Sequence, residues 1–117
     1  MAEPSIDLNI KADVAGWATR LGGQILPYGM LRLTRAGAVE ALDGYGEGAW
    51  WVQDFAAALP VRLLGDVAGQ TIIEIGAAPG GKTAQLAQAG ARVQALDRSP
   101  TRLTRLRQNL TRLGLEA

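Results

Sequence analysis

The sequence predicts an α/β chain in two parts: a small α+β segment over residues 1–48, then, over 49–117, a helix followed by a strand–helix–strand–helix unit. Three observations carry this. Residues 71–75, TIIEI, form a β-branched apolar run that feeds a loop of small residues, glycine and proline, and then a helix-like stretch. Residues 91–96, ARVQAL, form a second short apolar run that ends on Asp97 and leads into another helix pattern. Two strands joined by a helix imply parallel pairing with a right-handed crossover. By contrast, the first 48 residues alternate short extended runs with turn residues and contain one short helix pattern.

Taken in order, residues 6–11, IDLNIK, alternate apolar and polar side chains and read as a strand. Asp13 is placed to cap a short helix over 14–21, and Gly22-Gly23 stops it. Residues 24–34, QILPYGMLRLT, read as a strand broken at Pro27, Tyr28 and Gly29, because proline cannot donate to a central ladder. Residues 38–42 form a further short extended or helical piece, and GYGEG over 44–48 is a connector. From residue 49 a helix is expected, with Val52, Phe55, Ala56, Leu59 and Leu63 on one apolar face and Pro60 as a kink or restart. Trp50 and Trp51 near its start could stack on bases, but packing beneath a neighbouring segment is the preferred reading. The strand at 71–75, a helix from residue 80 or 81 to 89 with Gly90 as its stop, and the strand at 91–96 follow. Ser99 caps the last helix and Pro100 occupies its first turn. Leu103, Leu106, Leu110 and Leu113 face the core, Arg98, Arg102, Arg105 and Arg112 share another face, and Gly114 ends the helix.

Composition narrows the chemistry. At 117 residues the chain is one small domain or a piece of a larger protein, and 48% apolar residues suffice for a core. There is no cysteine, which removes disulfides, thiolate metal sites and any thiol nucleophile. There is no histidine either, so the commonest general base and metal ligand is missing. No metal site is expected. No apolar run approaches the ~20 residues of a membrane span, and no secretory signal pattern opens the chain; a cytoplasmic location is expected. Residues 1–70 carry five Lys/Arg against eight Asp/Glu, and residues 71–117 carry seven against three, so the basic excess lies on the half with the glycine loop.

That loop satisfies two patterns at once. GAAPGGKT over 76–83 fits G-x-x-x-x-G-K-[ST], the phosphate loop of nucleoside triphosphatases. Glu74, Gly76 and Gly80 equally fit the acid–x–Gly–x–x–x–Gly opening of S-adenosylmethionine (SAM) methyltransferases. Asp97 discriminates. It closes the second strand about 20 residues after the loop, where an acid accepts hydrogen bonds from ribose hydroxyls. A phosphate-loop enzyme needs a magnesium-binding carboxylate on a later strand instead. Glu74 would also face triphosphate oxygens, whereas it suits a ligand bearing an amino group and a sulfonium charge. The SAM reading is preferred.

Here a resemblance becomes specific. IIEIGAAPGGKT, ALDRSPTRLTRLRQNLTRLG and EGAWWVQDFAAALPVRLLGDVAGQ, in that relative placement, resemble the bacterial small-subunit ribosomal RNA cytosine-C5 methyltransferases of the Nop/Sun family. The runs AAPGGKT and WWVQD carry it most specifically. The resemblance implies that residues 49–117 form a helix and the first βαβα half of a Rossmann-like SAM methyltransferase sheet. It implies that Gly76, Ala77, Ala78, Pro79, Gly80, Gly81 and Lys82 line the methionine and sugar portions of SAM, and that Asp97 holds the ribose. Where the family usually has Asp, this chain has Glu74; where it usually has Cys, this chain has Gly76. GAAPGG also resembles the ribose 2′-O RNA methyltransferases, but those usually follow it with an aromatic residue and lack the preceding WWVQD.

The family reaction, as the resemblance implies it, begins with a cysteine thiolate attacking C6 of cytosine, after which C5 takes the methyl group from SAM. The family's cysteines lie on later strands, and no residue here can be that nucleophile. The chain is therefore expected to be a fragment that carries the cofactor loop, is inactive alone, and has ribosomal RNA as its partner in the full-length protein. A non-catalytic module that binds nucleotide or RNA is the other reading. Lys82 meets the ligand carboxylate, RNA phosphate or solvent, and these stay open. Arg98 flanks the adenine or is solvated. The arginine face of the last helix is read as solvated surface in preference to an RNA contact. The two parallel strands are expected to leave a sheet edge that self-associates or borrows the N-terminal strands.

Overall fold

Strand β1 (Ile6–Ile10) is the spine of the N-terminal half in the computed structural model, which describes residues 5–34, 37–76 and 81–117. Around it, α1 (Val14–Leu21), β2 (Gln24–Leu26), β3 (Met30–Leu33) and β4 (Trp50–Val52) form an antiparallel sheet in the order β2-β3-β1-β4 with one helix against it. Asp13 caps α1, its Oδ1 accepting from the Gly16 amide at 3.1 Å, and Gly22 ends the helix in the left-handed region, as the sequence predicts. Residues 27–29 break the second run into β2 and β3 through one 3-10 turn. Tyr28 there has φ 65°, a left-handed conformation uncommon for a residue with a Cβ, and its ring stacks on Phe55 at 6.4 Å.

The period-two register sorts the two sheet faces. Leu8 opposite Leu31, Ile10 opposite Trp50 and Ile6 opposite Leu33 turn towards α1 and build a core with Trp17. Asp7 opposite Arg32 and Asn9 opposite Trp51 turn the other way. That second face is buried yet polar, so its groups must be paired. Asp7 accepts from Arg32 Nε at 2.7 Å, from Arg32 Nη2 at 3.1 Å and from the Phe55 amide at 2.9 Å. Gln53 Oε1 accepts from Asn9 Nδ2 at 3.1 Å and from Trp51 Nε1 at 3.0 Å.

One expectation fails here. The helix predicted from residue 49 begins only at Phe55, as α2 (Phe55–Leu63), and the tryptophan pair instead forms β4. β1 has an edge to fill, and aromatic residues suit a pleated surface. Alternation then sends Trp50 into the apolar core and Trp51 to the opposite face, where they are 0% and 1% exposed. Both tryptophans are thus packing residues. The apolar face of α2 also shifts: Ala58 and Val61 are buried, while Leu63 is 86% exposed.

Residues 1–55 form one compact unit and 56–117 another. In the second, β5 (Thr71–Ile75) and β6 (Arg92–Leu96) pair in parallel from Thr71 opposite Arg92 to Ile75 opposite Leu96. Helix α3 (Gly81–Gln88) links them and α4 (Pro100–Leu113) follows. Ile72 and Val93 pack on one side with Val61, Val67, Leu86 and Ala91. Ile73, Ile75 and Leu96 share the other side and stay exposed. The N-terminal strands do not extend this sheet; among the described residues they form a sheet of their own, which overturns the expectation that β5 and β6 borrow them.

Candidate functional site

The carboxyl ends of β5 and β6 lie side by side, because Ile75 and Leu96 are register partners and each is the last residue of its strand. In open α/β sheets ligands bind outside these ends. A cleft of about 400 Å³ opens there, lined by Ile75, Gly76, Leu96, Asp97, Arg98 and Arg102. Gly76 leaves β5 with φ 71°, in the left-handed region that favours glycine, and its amide donates to the Leu96 carbonyl at 2.8 Å. This bond carries the pairing one residue past the strand and joins the two walls of the cleft.

Asp97 is fixed by its own turn. Its Oδ1 accepts from the Ser99 amide at 2.9 Å, and Ser99 in turn caps α4 by accepting from the Arg102 amide at 3.3 Å. The acid, the cap and Arg102 thus form one local chain of bonds. Ile75 and Leu96, 85% and 52% exposed, give the cleft an apolar surface beside a carboxylate.

Glu74 takes no part in that lining. Strand alternation turns it towards α3, where its Oε2 accepts from the Thr83 hydroxyl at 2.8 Å. Burial raises the Glu74 carboxyl above its usual pKa, while the Thr83 hydroxyl and the nearby Lys82 charge pull it back. Thr83 is 0% exposed. In a phosphate loop this hydroxyl would turn to a magnesium ion; here it donates a hydrogen bond to Glu74. Thr83 is thus hydrogen-bonded within the fold to the strand-end acid that the SAM pattern uses.

Of the residues expected to bind cofactor, Gly76, Asp97 and Arg98 line the cleft together. Gly81 and Lys82 open α3, and Lys82 is exposed. Ala77, Ala78, Pro79 and Gly80 lie outside the described residues. Ile75 and Leu96 line the cleft without having been named as site residues, and Arg102 lines it without having been expected to bind cofactor. The signal for the first two was present, since each is the last apolar residue before a site residue. Arg102 was signalled by the basic face that it shares with Arg98, a face read as solvated surface.

The model of a family described as 16S rRNA methyltransferase RsmB/F matches residues 61–117. The ribosomal RNA small subunit methyltransferase B of Pseudomonas putida is 47% identical over 88 residues, covering 73% of this chain and 20% of that protein. A methyltransferase homologue from Pyrococcus horikoshii shares the fold, with TM-score 0.74 and 24% identity over 99% of this chain and 42% of that one. The structure of NSun6 from Pyrococcus horikoshii with SFG gives TM-score 0.60 and 32% identity over 68% of this chain and 21% of that one. The chain spans about a fifth of the length of the curated relatives it matches. Sheet, loop spelling and relatives agree, and the chain belongs to the RsmB/F, or Sun-type, family of ribosomal RNA small-subunit methyltransferases.

Proposed function

We propose that this chain is the cofactor-holding portion of a SAM-dependent ribosomal RNA (cytosine-C5) methyltransferase. The observation that carries the reading is the cleft itself: an apolar surface from Ile75 and Leu96 beside the carboxylate of Asp97, at the carboxyl ends of two parallel strands. Such a cleft fits a nucleoside, with the base on apolar surface and the ribose hydroxyls on the acid. SAM, when bound, supplies an activated methyl group. Within this chain Asp97 would accept from the ribose hydroxyls, Gly76 would let the backbone approach the ligand, and Arg98 would flank the base. The family resemblance assigns residues 77–82 to the methionine and sugar portions of SAM. Support comes from the family match and from the NSun6 structure with SFG, a SAM analogue. Ribosomal RNA as substrate and a cytoplasmic location belong to the same proposal; no helix among the described residues is long and apolar enough to cross a membrane. With no cysteine, this chain contributes binding and not the family's nucleophile.

Calorimetry with S-adenosylhomocysteine against ATP–Mg²⁺ tests the reading. Binding of the SAM product alone is expected, and binding of ATP alone overturns it. Asp97→Ala is expected to weaken S-adenosylhomocysteine by ~1.5–3 kcal/mol, the worth of charge-assisted hydrogen bonds. An unchanged dissociation constant would remove Asp97 from the ribose role.

A further inference from the structure

Helix α4 has two basic regions with different surroundings. Arg98, just before the helix, and Arg102 in its first turn line the cofactor cleft. Further along, Thr104, Arg107, Gln108, Thr111 and Arg112 line a separate groove of about 490 Å³. At 3.6 residues per turn these five positions share one side of the helix, away from the buried Leu106, Leu110 and Leu113. All five side chains carry a hydrogen-bond donor and none is a carboxylate. The whole helix holds four arginines and no Asp or Glu. An ordinary solvated helix mixes signs to gain i,i+4 pairs; this one forgoes them, and Arg102 and Arg105 lie three residues apart with like charge. The unit around it, residues 56–117, carries eight Lys/Arg against four Asp/Glu.

We propose that the groove of Thr104, Arg107, Gln108, Thr111 and Arg112 binds the phosphodiester backbone of RNA, independently of base sequence and apart from the cofactor cleft. Arg107 and Arg112 are five residues apart, about 7.5 Å along the axis, so their guanidinium groups are spaced to engage neighbouring phosphates of one strand. The Arg112 guanidinium is already oriented, its Nη2 donating to Asn109 Oδ1 at 2.8 Å, which lowers the entropy lost when it binds. Gln108 and the hydroxyls of Thr104 and Thr111 lie between the charges and can donate to phosphate or 2′-hydroxyl oxygens. The proposal rests on the RNA-methyltransferase reading only for the choice of RNA over another polyanion.

The test is fluorescence anisotropy of a labelled mixed-sequence oligoribonucleotide titrated with the full chain between about 50 and 200 mM salt. The doubly substituted Arg107→Gln, Arg112→Gln chain is expected to bind several-fold more weakly and to lower the slope of log affinity against log salt by about 1.5–2. Lysine at both positions keeps the charges and should keep the slope. Arg20→Gln, in a residue paired with Asp43 on the other unit, should leave affinity and slope unchanged. No RNA binding by the parent chain, or the same slope after the double glutamine change, overturns the groove. Calorimetry with S-adenosylhomocysteine on the same samples separates the two readings. A variant that keeps cofactor binding and loses RNA isolates the groove, whereas a parent chain that binds RNA and not cofactor sinks the cofactor cleft and leaves the groove standing.

Discussion

At the scale of single residues, two carboxylates are held by opposite means. Asp7 is buried but accepts a bidentate guanidinium and a backbone amide. The Arg32 hydrogen bonds, against burial, hold its pKa below the usual aspartate range. A carboxyl whose folded pKa is lowered stabilises the fold fully above the unfolded value and loses that contribution as pH falls through the folded one. Asp7→Asn should therefore cost ~1.5–3 kcal/mol in urea unfolding at neutral pH and flatten the acid limb of the stability curve; an unaltered acid limb would refute the pairing. Glu74 is the reverse case, since burial raises its pKa. Its ionisation costs stability, which is lost as pH rises from about 4.3 through the raised folded value. Thr83→Val removes the hydroxyl that offsets this cost, so the variant should lose more stability than the wild type as pH rises above about 4.3. Thr83→Ser should retain the wild-type profile in thermal unfolding scans over that range.

At the scale of elements, α4 shows a helix whose ends are written in local residues. Ser99 caps it, Pro100 opens it, and Gly114 closes it at φ 70° with its amide returned to the Leu110 and Thr111 carbonyls. Ser99→Ala should lower stability by ~1 kcal/mol in urea unfolding; the substitution keeps the backbone amide that donates to Asp97, so S-adenosylhomocysteine affinity should change little, and a large loss of affinity would show that the hydroxyl cap also positions Asp97. These ends, the Asp13 cap and the break at residues 27–29 were legible in the sequence because each depends on the chemistry of neighbouring side chains. β4 was not. WWV is followed by a helical apolar spacing, and only the unfilled edge of β1, some 40 residues earlier, makes it a strand. The cleft was half legible for the same reason. Gly76, Asp97 and Arg98 follow from loop and strand-end chemistry, whereas the Glu74–Thr83 bond needs α3 to lie over β5, a tertiary fact that no local spacing encodes.

At the scale of the molecule, the chain divides its charge and its cores between two units. In the antiparallel unit the central strand β1 is buried on both sides, among apolar side chains on one and within a hydrogen-bonded polar set on the other. The parallel unit leaves Ile73 and Ile75 60% and 85% exposed beside Leu96. Parallel strands are normally covered on both faces, and an apolar face of this kind favours association. Sedimentation velocity should reveal concentration-dependent self-association that Ile73→Lys reduces; equal association by the variant would shift the cause to the strand edges. The Asp7–Phe55 bond adds a consequence for synthesis. Asp7 is made before its last donor, since the amide that completes its hydrogen bonding lies 48 residues further on. At about 5–20 residues per second, roughly 2–10 s pass in which β1 lacks both β4 and the last donor to its buried acid. The antiparallel unit must then wait for Phe55 before it can close, and β1, the earliest of its own strands to be made, is among the last to be fully paired.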